Sequence, residues 1–228
     1  MQNTIDDMND FDKLTAAQQH AKEIQNSRFG WFGGSDAKML LDVYLKRRTF
    51  STMSNTQRAR FEVLMGWQQP RVGDLDTPCI RGGHAFEDYM QEKIVGLQNA
   101  QGISGTLERE KCLRGEMYQY FGTMAHADYT IGGTVFELKY IYNTPTDKVA
   151  RRYECQLQWY YMLGAESVVL VHGEGCAEPF QCFRVHEWYI SRDEEMIAAL
   201  REACEWADYV IDEAVKMRQK TRKICAKL

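Results

Sequence analysis

The chain has 228 residues, of which 44% are hydrophobic and 26% are charged, and its formal net charge is −4. A chain of this length buries a core without help from disulfides or metals. The slight excess of acidic residues excludes a polycation that binds nucleic acid by bulk charge alone. Residues 1–30 contain no apolar run, and no stretch approaches the 18 apolar residues of a membrane span, so neither a secretory signal nor a transmembrane helix is expected.

The seven cysteines include no C-x-x-C pair. This spacing argues against a zinc ribbon, a redox dithiol or a local iron–sulfur loop. We therefore expect reduced thiols in a cytosol.

Helical periodicity comes first along the chain, and aromatic and β-branched segments follow it. The predicted helices cover approximately residues 12–27, 36–47, 54–69, 84–98, 149–164 and 192–220. The predicted strands cover residues 116–121, 125–131, 134–142, 167–172 and 180–186. Glycines and prolines over 70–83 predict a loop, and Ser191 with Glu194 predicts a capping box for the last helix. This order of elements indicates an α/β domain with a mixed sheet.

The pair Gly132-Gly133 predicts a two-residue hairpin turn. Counting outward from that turn places Asp128 opposite Glu137, with Lys139 on the same face. The other face is apolar and carries Tyr129, Ile131, Phe136, Leu138 and Tyr140. Like charges directly opposite each other are destabilising. Either solvent and Lys139 screen them, or a divalent cation such as magnesium or manganese neutralises them, and the residues alone leave both alternatives open.

Three further features carry two interpretations each. Glu87 borders the apolar stripe of helix 84–98, as either a surface glutamate or a site acid. Gln156 lies within the apolar stripe of helix 149–164, as either a structural hydrogen-bond donor or a site residue. Ser35 or Asp36 begins a helix just after two glycines, which is either an ordinary N-cap or, with Arg28, a phosphate-binding helix start.

Basic residues cluster in two places. Lys148, Arg151 and Arg152 stand at the start of the helix that carries Gln156, where they contact either phosphates or only solvent. The residues after Glu213 contain no acid and six basic side chains, which contact DNA or favour the helix C-terminus electrostatically.

Taken in chain order, several of these residues resemble the motifs of the PD-(D/E)xK nuclease superfamily. The matching positions are Glu87, Asp128, Glu137-Leu138-Lys139, Gln156 and Tyr160. The segment from Arg28 to Asp36 is similar to the N-terminal motif of the YqaJ family, the lambda-exonuclease-like viral recombinases. The resemblance covers roughly residues 28–172. The chain departs from the pattern at His126-Ala127, where relatives carry proline or glycine, and at Tyr140, where many carry a small residue.

The resemblance implies a restriction-endonuclease-like core, with a mixed central β-sheet flanked by helices, an N-terminal helical region and a long C-terminal helix. It implies one nuclease domain over residues 1–228. Its parts would be a mainly helical segment with the phosphate-binding motif (1–80), a catalytic core (81–190), and a C-terminal helix with a basic tail (191–228).

The resemblance also implies roles for individual residues. Magnesium, replaceable by manganese, would be held by Glu87, Asp128, Glu137 and the backbone carbonyl of Leu138, with no zinc and no iron–sulfur cluster. Lys139 would orient or deprotonate the attacking water, and Gln156 would steady that lysine or the substrate, with Tyr160 as a helper. The residues expected to bind the 5′-phosphate and the DNA are Arg28, Ser35, Arg151 and Arg152.

The implied activity is magnesium-dependent hydrolysis of DNA from double-stranded ends, 5′ to 3′, in phage-type recombination. The implied partners are DNA ends, a single-strand annealing protein and further copies of the chain in a ring, in the cytoplasm of a bacterium that hosts a phage or prophage. Two alternatives stay open. One is a RecB-like or restriction-like nuclease acting on single strands or internal sites, and the other is a catalytically weak module that binds DNA ends.

Overall fold

A computed structural model describes residues 30–68, 77–140 and 146–225 of the chain. Its helices are α1 (Ala37–Leu45), α2 (Asn55–Leu64), α3 (Pro78–Gln101), α4 (Thr146–Met162) and α5 (Glu194–Cys225), and a 3-10 turn over Gly34–Asp36 leads into α1. Its strands are β1 (Trp31–Phe32), β2 (Leu107–Met117), β3 (Gly122–Ile131), β4 (Thr134–Tyr140), β5 (Ser167–Ala177) and β6 (Phe180–Ile190). The expected α/β class, with a mixed central sheet, flanking helices and a long C-terminal helix, is confirmed.

The sheet runs in the order β1-β3-β4-β5-β6, and β2 also pairs with β3. β1 with β3 and β4 with β5 are parallel pairs, whereas the other neighbours are antiparallel. None of the helices described in these ranges is long and apolar enough to cross a membrane.

Each face of the sheet has its own core because successive side chains of a strand point to opposite faces. On one face, Phe86, Met90 and Ile94 of α3 pack on the apolar face predicted for the hairpin, which is confirmed by Tyr129, Ile131, Phe136 and Leu138 in the same buried cluster. The other face packs against the remaining helices in a larger cluster. Its fully buried side chains include Leu40, Phe61, Trp159, Leu200 and Ile211.

The hairpin between β3 and β4 has the predicted two-glycine turn. Gly132 has φ +58°, a left-handed conformation that glycine adopts without a steric penalty. Tyr129 pairs with Phe136, and Ile131 with Thr134, as predicted from the turn. The ladder ends at the pair Tyr129–Phe136, so the predicted pairing of Asp128 with Glu137 is not formed. The two strands part at the acidic residues.

A gap in the edge of β3 follows from this parting. Gly122 pairs with Met117 of β2 and with Trp31 of β1, so β2 follows one edge of β3, and β1 shares the opposite edge with β4. On that shared edge, β1 reaches only as far as the partner of Thr123, and the pairing with β4 covers only residues 129–131. Among the described strands, none covers residues 124–128 there.

Helix α4 fills this gap with side chains. The indole Nε1 of Trp159 donates to the Met124 carbonyl at 3.0 Å, and the Tyr160 hydroxyl lies 3.0 Å from the His126 carbonyl. The Met124 carbonyl, which would otherwise be buried without a partner, is therefore satisfied. Side chains of α4 thus stand where a neighbouring strand would otherwise pair with β3.

Several predicted boundaries were wrong. The strand predicted at 116–121 is β2, which covers Leu107–Met117, and it was placed too late because its sequence is mostly charged. The loop prediction was wrong over residues 78–83, and so was the later helix start, because α3 begins at Pro78 behind the N-cap Thr77 and includes Gly82 and Gly83. Residues 70–76 of the predicted loop lie outside the described residues. The prediction of a helix over 12–27 lies outside the described residues.

The capping predictions need correction as well. The carboxylate of Asp193, and not the side chain of Ser191, accepts the N–H of Met196 at 3.0 Å and caps α5. Neither side chain predicted to cap α1 does so, because Asp36 is the N-cap residue but makes no side-chain cap hydrogen bond. Strands β5 and β6 both extend beyond their predicted ends.

Candidate active site

A cleft of about 360 Å³ opens at the gap in β3. Seven of the predicted site residues line it, namely Ser35, Glu87, Asp128, Glu137, Lys139, Gln156 and Tyr160. The other lining residues are Gly33, Gly34, His84, Glu110, Met124, Ala125 and His126. Residues from the β1 segment, α3, β2, the hairpin and α4 therefore converge on one concave surface.

Glu137 lies at the floor of the cleft with only 2% of its surface exposed. Its Oε1 accepts from Gln156 Nε2 at 2.6 Å and also contacts the Lys139 ammonium, and its Oε2 accepts from the Tyr160 hydroxyl at 2.5 Å. Three donors from two elements thus hold one buried carboxylate. The amide of Gln156, which lies within the apolar stripe of its helix, thus finds its partner in the Glu137 side chain.

Asp128 faces the point where β3 and β4 part. Its Oδ2 accepts the backbone N–H of Leu138 at 2.6 Å, so a side chain replaces the missing ladder partner. Burial and the neighbouring Glu137 charge raise the pKa of Asp128 well above its usual range. Ionisation of Asp128 in the folded protein therefore costs more free energy than in water.

Lys139 is the cation beside this carboxylate pair. Burial disfavours its charge, but the adjacent Glu137 and Asp128 carboxylates outweigh burial and raise the pKa of the amine. Its Nζ lies 5.1 Å from the ring centre of Tyr153, which forms the neighbouring wall. One lysine therefore stands beside two carboxyl groups at the centre of the cleft.

Glu87 reaches the cleft from α3, on the other side of the sheet. Its side chain is 20% exposed, and its Oε2 accepts from Arg109 Nη2 at 3.1 Å. His84 Nδ1 is 3.7 Å from the same oxygen. The hydroxyl of Tyr129 donates to the backbone carbonyl of Glu87 at 3.1 Å. Glu87 is thus a lining residue of the cleft and not an isolated surface glutamate.

The segment around β1 forms the opposite lip. Gly34 packs so closely on α4 that an added Cβ would lie 3.2 Å from Gln156 Cγ. Asp36 accepts the Gly33 N–H at 2.9 Å and binds Arg60 through both oxygens, so its carboxylate holds the turn. Ser35 lines the cleft as predicted. Arg28, its predicted partner in phosphate binding, lies outside the described residues.

The two predicted DNA-binding arginines of α4 occupy different places. The Arg152 guanidinium lies 5.7 Å from the ring centre of Tyr153, and that ring borders Lys139. Arg151 instead lines a second cleft with Trp188 and Arg192, at the start of α5. Of the two, Arg152 is the one connected to the carboxylate cleft through a shared neighbour.

Residues of β2 at the site were missed in the sequence. Glu110 lines the cleft and has φ +52°, a left-handed conformation that costs a non-glycine residue roughly 1–2 kcal/mol. It stands at the register position across from Asp128, between the pairs Arg109–Tyr129 and Lys111–Ala127. The alternating charges of Glu108–Lys111 were the available signal, but they were not assigned to a strand.

The donor set of the cleft suits a hard divalent cation, because carboxylate oxygens are the ligands that magnesium and manganese prefer. Within the described ranges, no group of three His, Cys, Asp or Glu side chains is arranged to hold a metal ion as it stands. Asp128 and Glu137 are already adjacent, whereas Glu87 is engaged by Arg109. A cation held by all three requires their carboxylates to close in from these positions.

No protein-family model and no curated protein matches the chain. Solved structures do match. The fold is similar to that of an alkaline exonuclease from Laribacter hongkongensis, with a TM-score of 0.56 and 18% identity, over 89% of this chain and 99% of that one. The same exonuclease in complex with dAMP gives a TM-score of 0.58 and 15% identity over the same shares. A phage-related exonuclease from Haemophilus somnus gives a TM-score of 0.47 and 14% identity, over 72% of this chain and 85% of that one. The likeness to the alkaline exonuclease shows a restriction-endonuclease-like fold.

Proposed function

We propose that the protein is a magnesium-dependent exonuclease that hydrolyses DNA from double-stranded ends, in the 5′ to 3′ direction. The observation that carries this proposal is the cleft at the parting of β3 and β4, where Asp128, Glu137 and Lys139 meet Glu87 and Gln156. The fold shared with an alkaline exonuclease supports it. Its phage-type role in recombination rests on the resemblance of the sequence motifs.

The cation would be magnesium, with manganese as a substitute, and the proposed ligands are Glu87, Asp128, Glu137 and the carbonyl of Leu138. A bound divalent cation lowers the pKa of a coordinated water and stabilises the charge that develops on the phosphate and the leaving oxygen. A buried Glu137 side chain beside Asp128, whose pKa is raised, is costly without such a charge. This cost supports a cation as the natural counter-ion of the cleft.

The chain's own groups position the reactants. The Lys139 ammonium is fixed by Glu137 and can hold the attacking water and a phosphate oxygen by hydrogen bonds. Gln156 and Tyr160 restrain Glu137 from behind, so that its carboxylate keeps one orientation. In the reaction, water adds to phosphorus and releases a proton to solvent, the bond to the leaving oxygen breaks, and that oxygen takes up a proton from solvent.

Ends would be selected at the lip formed by Gly33, Gly34 and Ser35. We propose that Ser35 and Arg28 bind a 5′-phosphate there and that Arg152 contacts a neighbouring phosphate of the strand. Backbone N–H groups at such a turn favour anions. Because Ser35 and the carboxylates line the same cleft, a held phosphate end lies close to the site of hydrolysis.

The test compares linear duplex DNA with 5′-phosphate ends, the same DNA with 5′-hydroxyl ends, and a closed circle. Each is incubated with magnesium or with EDTA. We expect magnesium-dependent loss of the phosphorylated linear DNA. Equal cutting of the circle would replace the exonuclease with an internal cutter, and end binding without hydrolysis would indicate the binding module.

Two lysine variants complete the test. Lys139→Ala should lower the cleavage rate by about 100-fold, a typical loss when the reacting groups are no longer held in position. Lys93→Ala removes a lysine on the exposed side of α3, near the Tyr89 ring, and should leave cleavage unchanged. Full activity of Lys139→Ala would contradict the proposed site.

A further inference from the structure

Arg109 of β2 contacts the cleft acid Glu87 without lining the cleft itself. Its Nη2 donates to Glu87 Oε2 at 3.1 Å, and its Nη1 donates to Asp88 Oδ1 at 2.7 Å. Its guanidinium also lies 5.8 Å from the Tyr129 ring centre. Two neighbouring carboxylates and an aromatic ring therefore fix one arginine side chain.

The contacts of Arg109 lie on the side of Glu87 that faces away from the cleft. Glu87 lines the cleft, whereas Arg109 approaches it from outside. The bond to Arg109 uses Oε2 and leaves Oε1 of Glu87 available on the carboxylate. Tyr129 pairs with Arg109 across the strands, and its hydroxyl donates to the backbone carbonyl of Glu87. Glu87 is thus held at both its main chain and its side chain by one pair of cross-strand residues.

A distortion in β2 accompanies this arrangement. Glu110, the residue after Arg109, has a left-handed φ and lines the cleft. The regular pairing of Arg109 with Tyr129 is kept on one side of it and the pairing of Lys111 with Ala127 on the other. Strand β2 thus contributes to both sides of the site: Arg109 outside the cleft and Glu110 within it.

We propose that Arg109 is a positioning residue that orients Glu87 for a divalent cation. This inference rests on the proposed cation-dependent function. Hydrogen bonds to a ligating carboxylate fix its orientation, and their loss typically weakens metal binding by about 10–100-fold. Arg109 acts through Glu87 and touches neither the cation nor the DNA.

The experiment measures the affinity for Mn²⁺ by electron paramagnetic resonance of the free ion, without DNA. Arg109→Ala should weaken Mn²⁺ binding by about 10-fold or more. Arg109→Lys keeps a donor and a charge and should recover part of the affinity, which also covers failure of the alanine variant to fold. Arg114→Ala, on the same strand and stacked on Trp31, is the matched control and should bind as the wild type does.

A double-mutant cycle separates positioning from a general structural effect. With Glu87→Gln already present, Arg109→Ala should cause no further loss of Mn²⁺ affinity, because the residue through which it acts is gone. An equal loss in both backgrounds would overturn the proposal. Unchanged or tighter binding by Arg109→Ala would also overturn it and would make Arg109 a competitor of the cation.

A different set of results would contradict the proposed function itself. If the wild type binds no Mn²⁺, or if Asp128→Asn binds it equally well, the cation site itself is wrong and the role of Arg109 with it. If wild-type binding is present and depends on Asp128, the behaviour of Arg109→Ala tests the positioning role alone.

Discussion

At the scale of single residues, the carboxyl of Asp128 is the clearest conflict between stability and function. It is buried next to Glu137, and both burial and that charge raise its pKa. It also accepts the Leu138 N–H that the parted strands leave without a ladder partner. The residue thus completes the sheet locally and weakens it electrostatically.

Asp128→Asn should therefore stabilise the cation-free protein while abolishing cleavage. The amide oxygen can still accept the Leu138 N–H, and the repulsion from Glu137 disappears. We expect a gain of about 1 kcal/mol, the upper range for like-charged pairs across a sheet, or about 2–4 °C in Tm for a chain of this size. Thermal unfolding in EDTA measures it.

The gain should depend on pH with a definite sign. The folded pKa of Asp128 lies above the unfolded value, so the folded state binds the proton more tightly and loses stability as pH rises between the two values. Below about pH 4, near the unfolded pKa, wild type and variant are both neutral and should have the same Tm. A difference that grows towards acid pH would contradict this account.

Glu110 carries a second local cost, its left-handed backbone. Glu110→Gly should raise the free energy of unfolding by up to about 1 kcal/mol, because the strain exceeds the extra entropy of an unfolded glycine. Urea unfolding measures it. Glu108→Gly, at a regularly paired position of the same strand, is the control and should lower stability. Equal losses for both would show that position 110 is not strained.

At the scale of elements, α4 closes the edge of β3 and also holds the buried carboxylate of Glu137. Trp159 closes the edge through the Met124 carbonyl, and Gln156 holds the carboxylate through its amide. Tyr160 does both, since its hydroxyl lies between the His126 carbonyl and Glu137. Neighbouring turns of α4 thus contact both the open edge of β3 and the Glu137 carboxylate.

Variants of two adjacent tyrosines distinguish the contact with the strand from the contact with Glu137. Tyr160→Phe and Tyr161→Phe each remove a buried hydroxyl bonded to a carbonyl, and each should cost about 1–3 kcal/mol of stability. Only Tyr160→Phe also removes a donor from Glu137, so only it should lower kcat, by about 10-fold or more. Unfolding and cleavage of linear duplex DNA are measured on both variants. Equal kcat values would remove Tyr160 from the site.

Helix α3 must lie close to the sheet for Glu87 to reach the cleft, and Gly82 permits this approach. A Cβ at Gly82 would lie 2.8 Å from the Ala177 Cβ and 3.3 Å from the Tyr140 ring. Gly82→Ala should therefore lower stability by about 1–3 kcal/mol. Gly83→Ala meets no atom within 4 Å and should raise it by up to about 1 kcal/mol. Chemical denaturation of the pair tests both signs.

At the scale of the whole molecule, local features were predictable and cross-chain features were not. The hairpin register followed from Gly132-Gly133 by counting, and the order of the acids and Lys139 followed from the family resemblance. Strand β2 was misplaced because an edge strand that faces solvent has no alternating apolar pattern. The contact of Arg109 with Glu87 and the gap filled by Trp159 depend on how distant elements pack, which residue spacing does not encode.

Helix α5 packs across the molecule on α1 and α4, and Cys204 lies at its buried centre. Burial raises the pKa of the Cys204 thiol to about 12, so the reactive thiolate is almost absent at neutral pH. Its alkylation should therefore occur only through unfolding of the whole domain. Peptide-resolved mass spectrometry should show rapid labelling of the exposed Cys79, Cys112 and Cys176 and protection of Cys204 until global unfolding.

Because α4 fills the gap in β3, the site can be completed only after α4 has been synthesised. Asp128 and Glu137 leave the ribosome before α4, and until α4 docks, Glu137 lacks Gln156 and Tyr160 and the carbonyls of residues 124 and 126 face water. The hydrolytic centre proposed above cannot form on a nascent chain that stops short of that helix. An incomplete translation product would carry the acids without the contacts by which α4 holds Glu137.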